Sequence, residues 1–313
     1  MRKTGITLLA GDAHPGLAQH IARLTEATLI PATVSAFADG ETRVRIEADL
    51  QDADVYIVQP TSTPTNERLM TLALLADAAR AAGALRVTAV VPYFGYARQD
   101  VRKSAGEPRS AAIAARLLSN AGIDRLVTVE LHSPALESAF PMLLVQLEAD
   151  EAMLPVVRGW AIPDLAIVSP DAGGLKRAQR YAAALDAGLA VVVKTRPRPD
   201  VAVALQVLGE VRGRACLIVD DLASTGRTIV GAAQALVAAG AREVHALFVH
   251  PVMAPEALQL ICAGPVQRLV STDSVPTPPD PRLEIVSLAP LLAKTLKRLS
   301  ASEGRTPSAS QAT

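Results

Sequence analysis

Two consecutive carboxylates, Asp220 and Asp221, follow the apolar run Cys216-Leu217-Ile218-Val219 and lead into Leu222-Ala223-Ser224-Thr225-Gly226-Arg227-Thr228. The apolar run reads as a buried strand, and the small-residue stretch reads as a turn that opens a helix. Ligands of open α/β sheets collect at the carboxyl ends of strands. Backbone N–H groups at a helix N-terminus suit a phosphate monoester. The hydroxyls of Ser224, Thr225 and Thr228 add donors, and the two carboxylates then stand where they can hold sugar hydroxyls, directly or through a metal ion. The plainer alternative, a helix cap with two solvated acids, fits poorly with two Asp directly behind four apolar residues.

Four further places carry side chains able to do chemistry. Arg98, in Arg98-Gln99-Asp100, can fork onto phosphate oxygens or stack on a purine, which Lys does poorly; alternatively it forms a surface ion pair with Asp100. His132 closes another apolar run and reads either as a structural histidine or as a metal ligand. Asp171 precedes Gly173-Gly174 at a strand-to-helix turn, which puts its carboxylate on the same edge as Asp220 and Asp221. Lys194 and Arg196 are alternate residues at a strand end, so both charges project together; a solvated basic edge would look the same.

These residues need a scaffold. Short apolar runs at residues 6–9, 54–59, 87–92 and 126–130 form one strand series, and runs at 165–169, 189–194, 216–220 and 244–250 form a second. Helical spacing is expected over residues 15–26, 66–82, 109–121, 174–185 and 229–239. In residues 66–82, Leu69, Leu72, Ala76 and Ala79 share a face. Continuous apolar strands separated by helices indicate parallel sheets buried on both faces. The expectation is therefore an α/β protein of two similar domains, 1–148 and 149–300. Ser287 is a candidate cap for a last helix at 289–300, and that helix is free to pack on the first domain. Residues 301–313 read as a disordered tail. Asp39-Gly40-Glu41 before the alternating Thr42-Arg43-Val44-Arg45-Ile46 signals a hairpin that breaks the rhythm.

Composition bounds the partners. The 313 residues carry a formal net charge of zero, half are apolar, and only 3% are aromatic. No electrostatic reason exists to expect nucleic-acid or membrane binding. Cys216 and Cys262 form no CxxC pattern, and Cys216 reads as a buried structural thiol. The apolar run at residues 6–10 is too short for a signal-peptide core or a membrane span, so a cytoplasmic location is expected. No Walker A and no Gly-x-Gly-x-x-Gly sequence occurs, which disfavours a P-loop kinase or a dehydrogenase.

Residues 219–228 resemble the phosphoribosyl-diphosphate loop of type I phosphoribosyltransferases. Val91-Pro92-Tyr93-Phe94-Gly95-Tyr96-Ala97-Arg98-Gln99-Asp100, together with Phe37-Ala38-Asp39-Gly40-Glu41, is similar to the ribose-phosphate pyrophosphokinases. Further similar segments are Gly11-Asp12-Ala13-His14-Pro15, Glu130-Leu131-His132, Ser169-Pro170-Asp171-Ala172-Gly173-Gly174, Lys194-Thr195-Arg196 and Ala289-Pro290-Leu291-Leu292-Ala293. They run in order over residues 5–300, and the spacing from Arg98-Gln99-Asp100 to Gly106-Glu107-Pro108 looks most like the class III branch.

This resemblance implies two phosphoribosyltransferase-like domains, ATP and ribose 5-phosphate as substrates, and magnesium as cofactor. It implies that Phe37, Asp39 and Glu41 meet the adenine, with Arg98, Gln99, Asp100 and His132 completing the nucleotide site. His132 and Asp171 would serve the metal. Lys194, Arg196 and His132 would be catalytic, and Asp220, Asp221, Ser224, Thr225, Gly226, Arg227 and Thr228 would hold ribose 5-phosphate. It further implies a dimer-based homo-oligomer in which the 37–41 hairpin completes a neighbour's adenine pocket. The sequence departs from the family pattern in four places. Glu130 and Ser224 stand where Asp is common, Arg227 where Gly is frequent, and Leu143-Leu144-Val145-Gln146 where Pro-Val-Asp-Asn often occurs. A phosphoribosyltransferase, or a catalytically weak regulatory homologue, is the alternative reading.

Overall fold

The computed structural model describes residues 5–195 and 204–303. By contacts the chain divides into two units: one holds the chain up to Leu147 together with everything from Leu288, and the other is Glu148–Ser287.

The first unit contains β1 (Thr7–Ala10), α1 (Pro15–Thr25), β2 (Thr28–Ile30), the hairpin β3 (Ala32–Ala36) and β4 (Thr42–Ile46), β5 (Asp54–Val58), α2 (Thr65–Ala81), β6 (Arg86–Val91), α3 (Ser110–Asn120), β7 (Arg125–Val129) and β8 (Leu143–Leu147). Six strands form one sheet in the order β2-β1-β5-β6-β7-β8, every neighbour parallel. Leu9, Val55, Ile57, Val87, Ala89 and Val91 bury one face in a cluster with Leu72, Leu75 and Ala76 of α2 and Ala114, Ala115 and Leu118 of α3. This is why the strands read as unbroken apolar runs rather than alternating ones. The chain runs outward from β1 to β2, then resumes on the other side at β5. That reversal opens a crevice at the carboxyl ends of the strands.

The expected hairpin forms as a separate two-stranded antiparallel sheet with Val34 opposite Val44. Val44 and Ile46 pack toward the core, while Ser35, Arg43 and Arg45 face outward. Its turn closes through Phe37 N–H to the Glu41 carbonyl (2.8 Å) and Gly40 N–H to the Phe37 carbonyl (2.9 Å). Gly40 has φ 94°, a conformation that only glycine adopts without strain.

The second unit contains α4 (Asp150–Gly159), β9 (Leu165–Ser169), α5 (Leu175–Leu185), β10 (Gly188–Thr195), β11 (Ala204–Leu208), β12 (Ala215–Leu222), α6 (Arg227–Ala238), β13 (Glu243–His250), α7 (Ala257–Cys262), β14 (Val266–Thr272) and β15 (Glu284–Val286). Seven strands lie in the order β11-β10-β9-β12-β13-β14-β15, and only β10 with β11 is antiparallel. The direction of winding reverses between β9 and β12. Cys216 is buried on β12, and burial pushes its thiol up to about 11; the thiol is structural.

The last helix, α8 (Ala289–Glu303), belongs to the first unit and lies against α1. Leu288, Ala289, Leu292 and Leu296 are fully or nearly fully buried. The helix runs three residues into the segment expected to be a tail; residues 304–313 of that expectation lie outside the described residues. The Ser287 hydroxyl donates to Asp273 Oδ2 at 2.6 Å. Among the described residues no helix is long and apolar enough to cross a membrane.

Candidate active site

Asp220 and Asp221 stand near the end of β12, which closes on Leu222, after five buried residues, Ala215 to Val219. Ladder pairs place Ile218 beside Val168 of β9 and Asp220 beside Phe248 of β13. Both carboxylates therefore sit at the sheet's carboxyl edge, next to the reversal of winding. The following loop is pinned from both sides. Ala223 N–H donates to the His250 carbonyl (3.1 Å), and Ala254 N–H donates to the Ser224 carbonyl (2.9 Å). Gly226 then turns into α6 with φ 77°.

A Cβ at Gly226 would lie 2.9 Å from the Ala257 carbonyl oxygen and 2.9 Å from Ile261 Cγ1, so α7 fills the space a side chain would need. No side chain caps α6. Its first-turn N–H groups lack intrahelical acceptors and carry the positive end of the helix dipole. Thr225, Arg227 and Thr228 are exposed around them, and Ser224 is half-buried. The arrangement has the chemistry to cradle a dianionic phosphate, with two carboxylates beside it.

The carboxylate pair is electrostatically costly. Asp221 is 6% exposed, and its N–H donates to Asp220 Oδ1 at 2.9 Å. Burial first, and the Asp221 charge second, push Asp220 up to about 8. The opposing influence is Arg177 of α5, whose Nη1 lies 3.9 Å from an oxygen of each acid.

Asp171 follows β9, the strand beside β12, and so shares this edge. Its Oδ1 accepts from the N–H groups of Gly173 (2.9 Å) and Gly174 (3.1 Å). Its carbonyl accepts from the Ser169 hydroxyl at 2.6 Å. The exposed carboxylate is thus fixed by one oxygen, and Oδ2 accepts no hydrogen bond among the described residues. Lys194 lies on β10 opposite Leu205 of β11. Arg196 lies outside the described residues.

In the first unit, the segment 98–100 follows β6 and His132 follows its neighbour β7, so both lie beyond carboxyl ends of adjacent strands. Arg98 makes no ion pair with Asp100 among the described residues; the pairs within this segment run elsewhere. The Gln99 carbonyl accepts from Ala111 N–H, its side-chain oxygen accepts from the Ser110 hydroxyl (2.7 Å), and the Asp100 carbonyl accepts from Arg109 Nε (3.0 Å). These bonds tie the segment to the start of α3. Arg98 and Gln99 line an open depression of about 350 Å³ with Val101, Lys103, Glu107 and Pro108. His132 is exposed, unlike a core histidine.

Phe37 is 50% exposed, and the Arg43 guanidinium lies 5.6 Å from its ring centre. Asp39 Oδ1 accepts from Glu41 N–H at 3.2 Å. The hairpin tip therefore presents an aromatic face that is not ordinary core, on a sheet of its own. Asp171, Asp220, Asp221 and residues 224–228 converge at one edge of the second unit. The candidates Arg98, Gln99, Asp100 and His132 belong to the first unit. No group of three or more His, Cys, Asp or Glu able to hold a metal occurs among the described residues. Sequence reasoning missed Arg177. As a polar residue of an amphipathic helix it gives no signal until β9, α5 and β12 are assembled.

Comparison with known proteins gives the same reading from an independent direction. Residues 6–122 match the family model for the N-terminal domain of ribose phosphate pyrophosphokinase, and residues 148–273 match the phosphoribosyl transferase domain. The chain is 41% identical over 301 residues to the ribose-phosphate pyrophosphokinase of Maricaulis maris, covering 95% of this chain and 97% of that protein. It is 39% identical over 300 residues to that of Burkholderia pseudomallei, covering 94% of each. The solved structure of phosphoribosylpyrophosphate synthetase from Mycobacterium smegmatis superposes with a TM-score of 0.89 at 32% identity, covering 95% of this chain and 99% of that one.

Proposed function

Because the chain belongs to the ribose-phosphate pyrophosphokinase family, we propose that it is a diphosphoryl-transfer enzyme. The enzyme transfers the diphosphoryl group of ATP to the anomeric hydroxyl of ribose 5-phosphate, giving phosphoribosyl diphosphate and AMP. The observation that carries the sugar site is the Asp220–Asp221 pair near the end of a buried strand, one short loop ahead of an uncapped helix N-terminus.

In this reading the 5-phosphate rests on the first-turn N–H groups of α6, with Thr225, Arg227 and Thr228 around it. Asp220 and Asp221 accept hydrogen bonds from the ring hydroxyls. That grip fixes the sugar at both ends and leaves the anomeric oxygen to attack the β-phosphorus in line, with AMP leaving. Such transfer depends on positioning and on charge stabilisation. Arg98, Gln99 and Asp100 hold the nucleotide, and Lys194 and Arg196 neutralise charge that develops on the moving group.

Magnesium fits the donor set. It takes few protein ligands and completes its shell with water and phosphate oxygens. Asp171, in the second unit, offers such an ion one oriented carboxylate oxygen, and His132, in the first, is an exposed imidazole. A bound ion would neutralise charge on the diphosphoryl oxygens. The hairpin residues Phe37, Asp39 and Glu41 complete the adenine pocket of a neighbouring subunit in a two-fold dimer; the half-exposed Phe37 ring supports this, since stacking needs an open aromatic face.

The test is product identity. With ATP, ribose 5-phosphate and magnesium, AMP should appear in step with phosphoribosyl diphosphate. Accumulation of ADP would mean γ-phosphoryl transfer. Diphosphate release only from phosphoribosyl diphosphate plus a base would mean a phosphoribosyltransferase.

A further inference from the structure

Where β13 ends, the chain buries His250, and the end of β14 beside it buries Ser271, Thr272 and Ser274. Buried hydroxyls are costly unless they are bonded. The hydroxyls of Thr272, Ser271 and Ser274 converge on one acceptor, the Val249 carbonyl oxygen, at 2.6, 3.3 and 3.3 Å. A carbonyl oxygen has two lone pairs, so the two long contacts compete for what Thr272 leaves. Ser274 has a nearer partner: its hydroxyl lies 2.9 Å from His250 Nδ1. Ser274 is itself held in place, because its N–H donates to Thr272 Oγ1 at 3.1 Å. The N–H of Asp273 donates to the Val286 carbonyl of β15 at 3.1 Å. The turn 272–274 is thus braced on the strands at either side of it.

The chain leaving β13 in turn holds the loop that follows Asp221. The His250 carbonyl accepts from Ala223 N–H (3.1 Å) and from Val252 N–H (2.9 Å), and Ala254 N–H donates to the Ser224 carbonyl (2.9 Å). Ser274 anchors the imidazole, and the imidazole anchors the backbone from which residues 223 and 224 hang. We infer that Ser274 is a positioning residue of the sugar site, acting through His250 to set where residues 223–226 deliver the first-turn N–H groups of α6. The inference rests on the reading of residues 220–228 as the ribose 5-phosphate site. Without the contact the unit keeps its strand ladders, but the loop samples other positions. Binding must then reorder it, at a cost in affinity. Once the sugar phosphate is bound the geometry is the same, so the defect falls on KM for ribose 5-phosphate and not on kcat.

The experiment compares Ser274→Ala, His250→Asn and His250→Leu by steady-state kinetics in each substrate and by hydrogen exchange of the ligand-free protein. Asn and Leu are alike in size and neither has an atom at the Nε2 position, but only Asn keeps a polar group able to meet the Ser274 hydroxyl. Ser274→Ala and His250→Leu should each raise KM for ribose 5-phosphate about three- to ten-fold, the scale of one buried hydrogen bond, with kcat and the KM for ATP little changed. His250→Asn should stay nearer the parent than His250→Leu. Ser274→Ala added to His250→Leu should have little further effect. Amides of residues 222–226 should exchange faster in Ser274→Ala, while those of β9 and the buried part of β12 keep their protection.

A parental KM for ribose 5-phosphate in Ser274→Ala overturns the inference. Equal impairment by Asn and Leu, a matching rise in KM for ATP, or full additivity of the two substitutions also overturns it. Failure of Ser274→Ala to fold, or faster exchange throughout the unit, would make the contact a support of the fold and not of the loop. Asp221→Ala, measured in parallel, separates these outcomes from failure of the sugar-site reading. If it leaves ribose 5-phosphate binding intact, that reading falls; if it weakens binding and Ser274→Ala does not, only the role of Ser274 falls.

Discussion

Gly226→Ala perturbs the proposed phosphate cradle where α7 leaves no space for a side chain. The backbone there has φ 77°, and the new methyl would meet the Ala257 carbonyl oxygen at 2.9 Å and Ile261 Cγ1 at 2.9 Å. A left-handed conformation costs a residue with a Cβ about 1–2 kcal/mol. Forcing a methyl into filled space costs about 1–3 kcal/mol more. The carbonyl cannot swing aside easily, because Ala257 begins α7 and its N–H is bonded to Ala254. A total near ~3 kcal/mol in a unit of this size corresponds to a fall in Tm of roughly 6–12 °C.

The functional loss arises separately. If relief of the clash shifts the α6 N-terminus enough to break one charged hydrogen bond to phosphate, about 1.5–3 kcal/mol of binding goes with it, or roughly 10–150-fold in affinity. Thermal melting and calorimetric titration of ribose 5-phosphate, with ATP as control, read the two effects. Retained sugar-phosphate affinity in a less stable protein would refute the cradle. No change in either quantity would refute the steric argument.

Asp221→Ala should weaken ribose 5-phosphate binding more than ATP binding in equilibrium titrations, and equal losses would place Asp221 elsewhere in the site or in support of the fold. Asp220, raised by burial and by Asp221 to about 8, favours the folded state while protonated. Its contribution is complete below the unfolded carboxylate pKa of about 3.9 and is lost as pH rises toward 8. Asp220→Asn should therefore gain Tm relative to the ligand-free parent as pH goes from acidic to mildly alkaline; a pH-independent difference would contradict this. Lys194→Ala should lower kcat strongly with little change in KM, since its charge is assigned to the transition state, and the reverse pattern would remove that role. Phe37→Ala and Asp221→Ala, each nearly inactive, should regain activity when co-expressed, with about a quarter of sites intact under random pairing; silence in the mixture would place both residues in one chain's site.

The parallel scaffold was legible because its strands are buried on both faces. β9 and the first five residues of β12 appear in the sequence as apolar runs, and the apolar stretch of β13 is interrupted only by the buried His245. Strands that lack that burial escaped notice. β2 has three residues with an exposed start, Leu143 of the edge strand β8 is 60% exposed, and β14 carries the exposed polar pair Gln267-Arg268 directly after its first residue. α4 was hidden by Pro155 in its interior, a residue that propensity places at helix ends. At the site, residues 220–228 were readable as a candidate because strand, acids and turn are contiguous. Arg177 was not, because its pairing with residues more than forty positions away depends on which strands become neighbours.

The return of α8 to the first unit has a temporal consequence. On the ribosome, a domain usually becomes foldable once its own stretch of chain has emerged, and the N-terminal one leads. Here the stretch 148–287 is delivered whole before Leu288, whereas the unit that starts earlier still lacks the helix that covers α1. Until then Leu17, Ala18 and Ile21, which are buried in the finished protein, have lost part of their cover. The nascent chain therefore carries an apolar patch near its beginning throughout most of its synthesis, and the later-made half is the first able to reach its final form. Nonsense or frameshift changes that spare residues 220–228 but remove the last helix should accordingly act as solubility defects of the first unit.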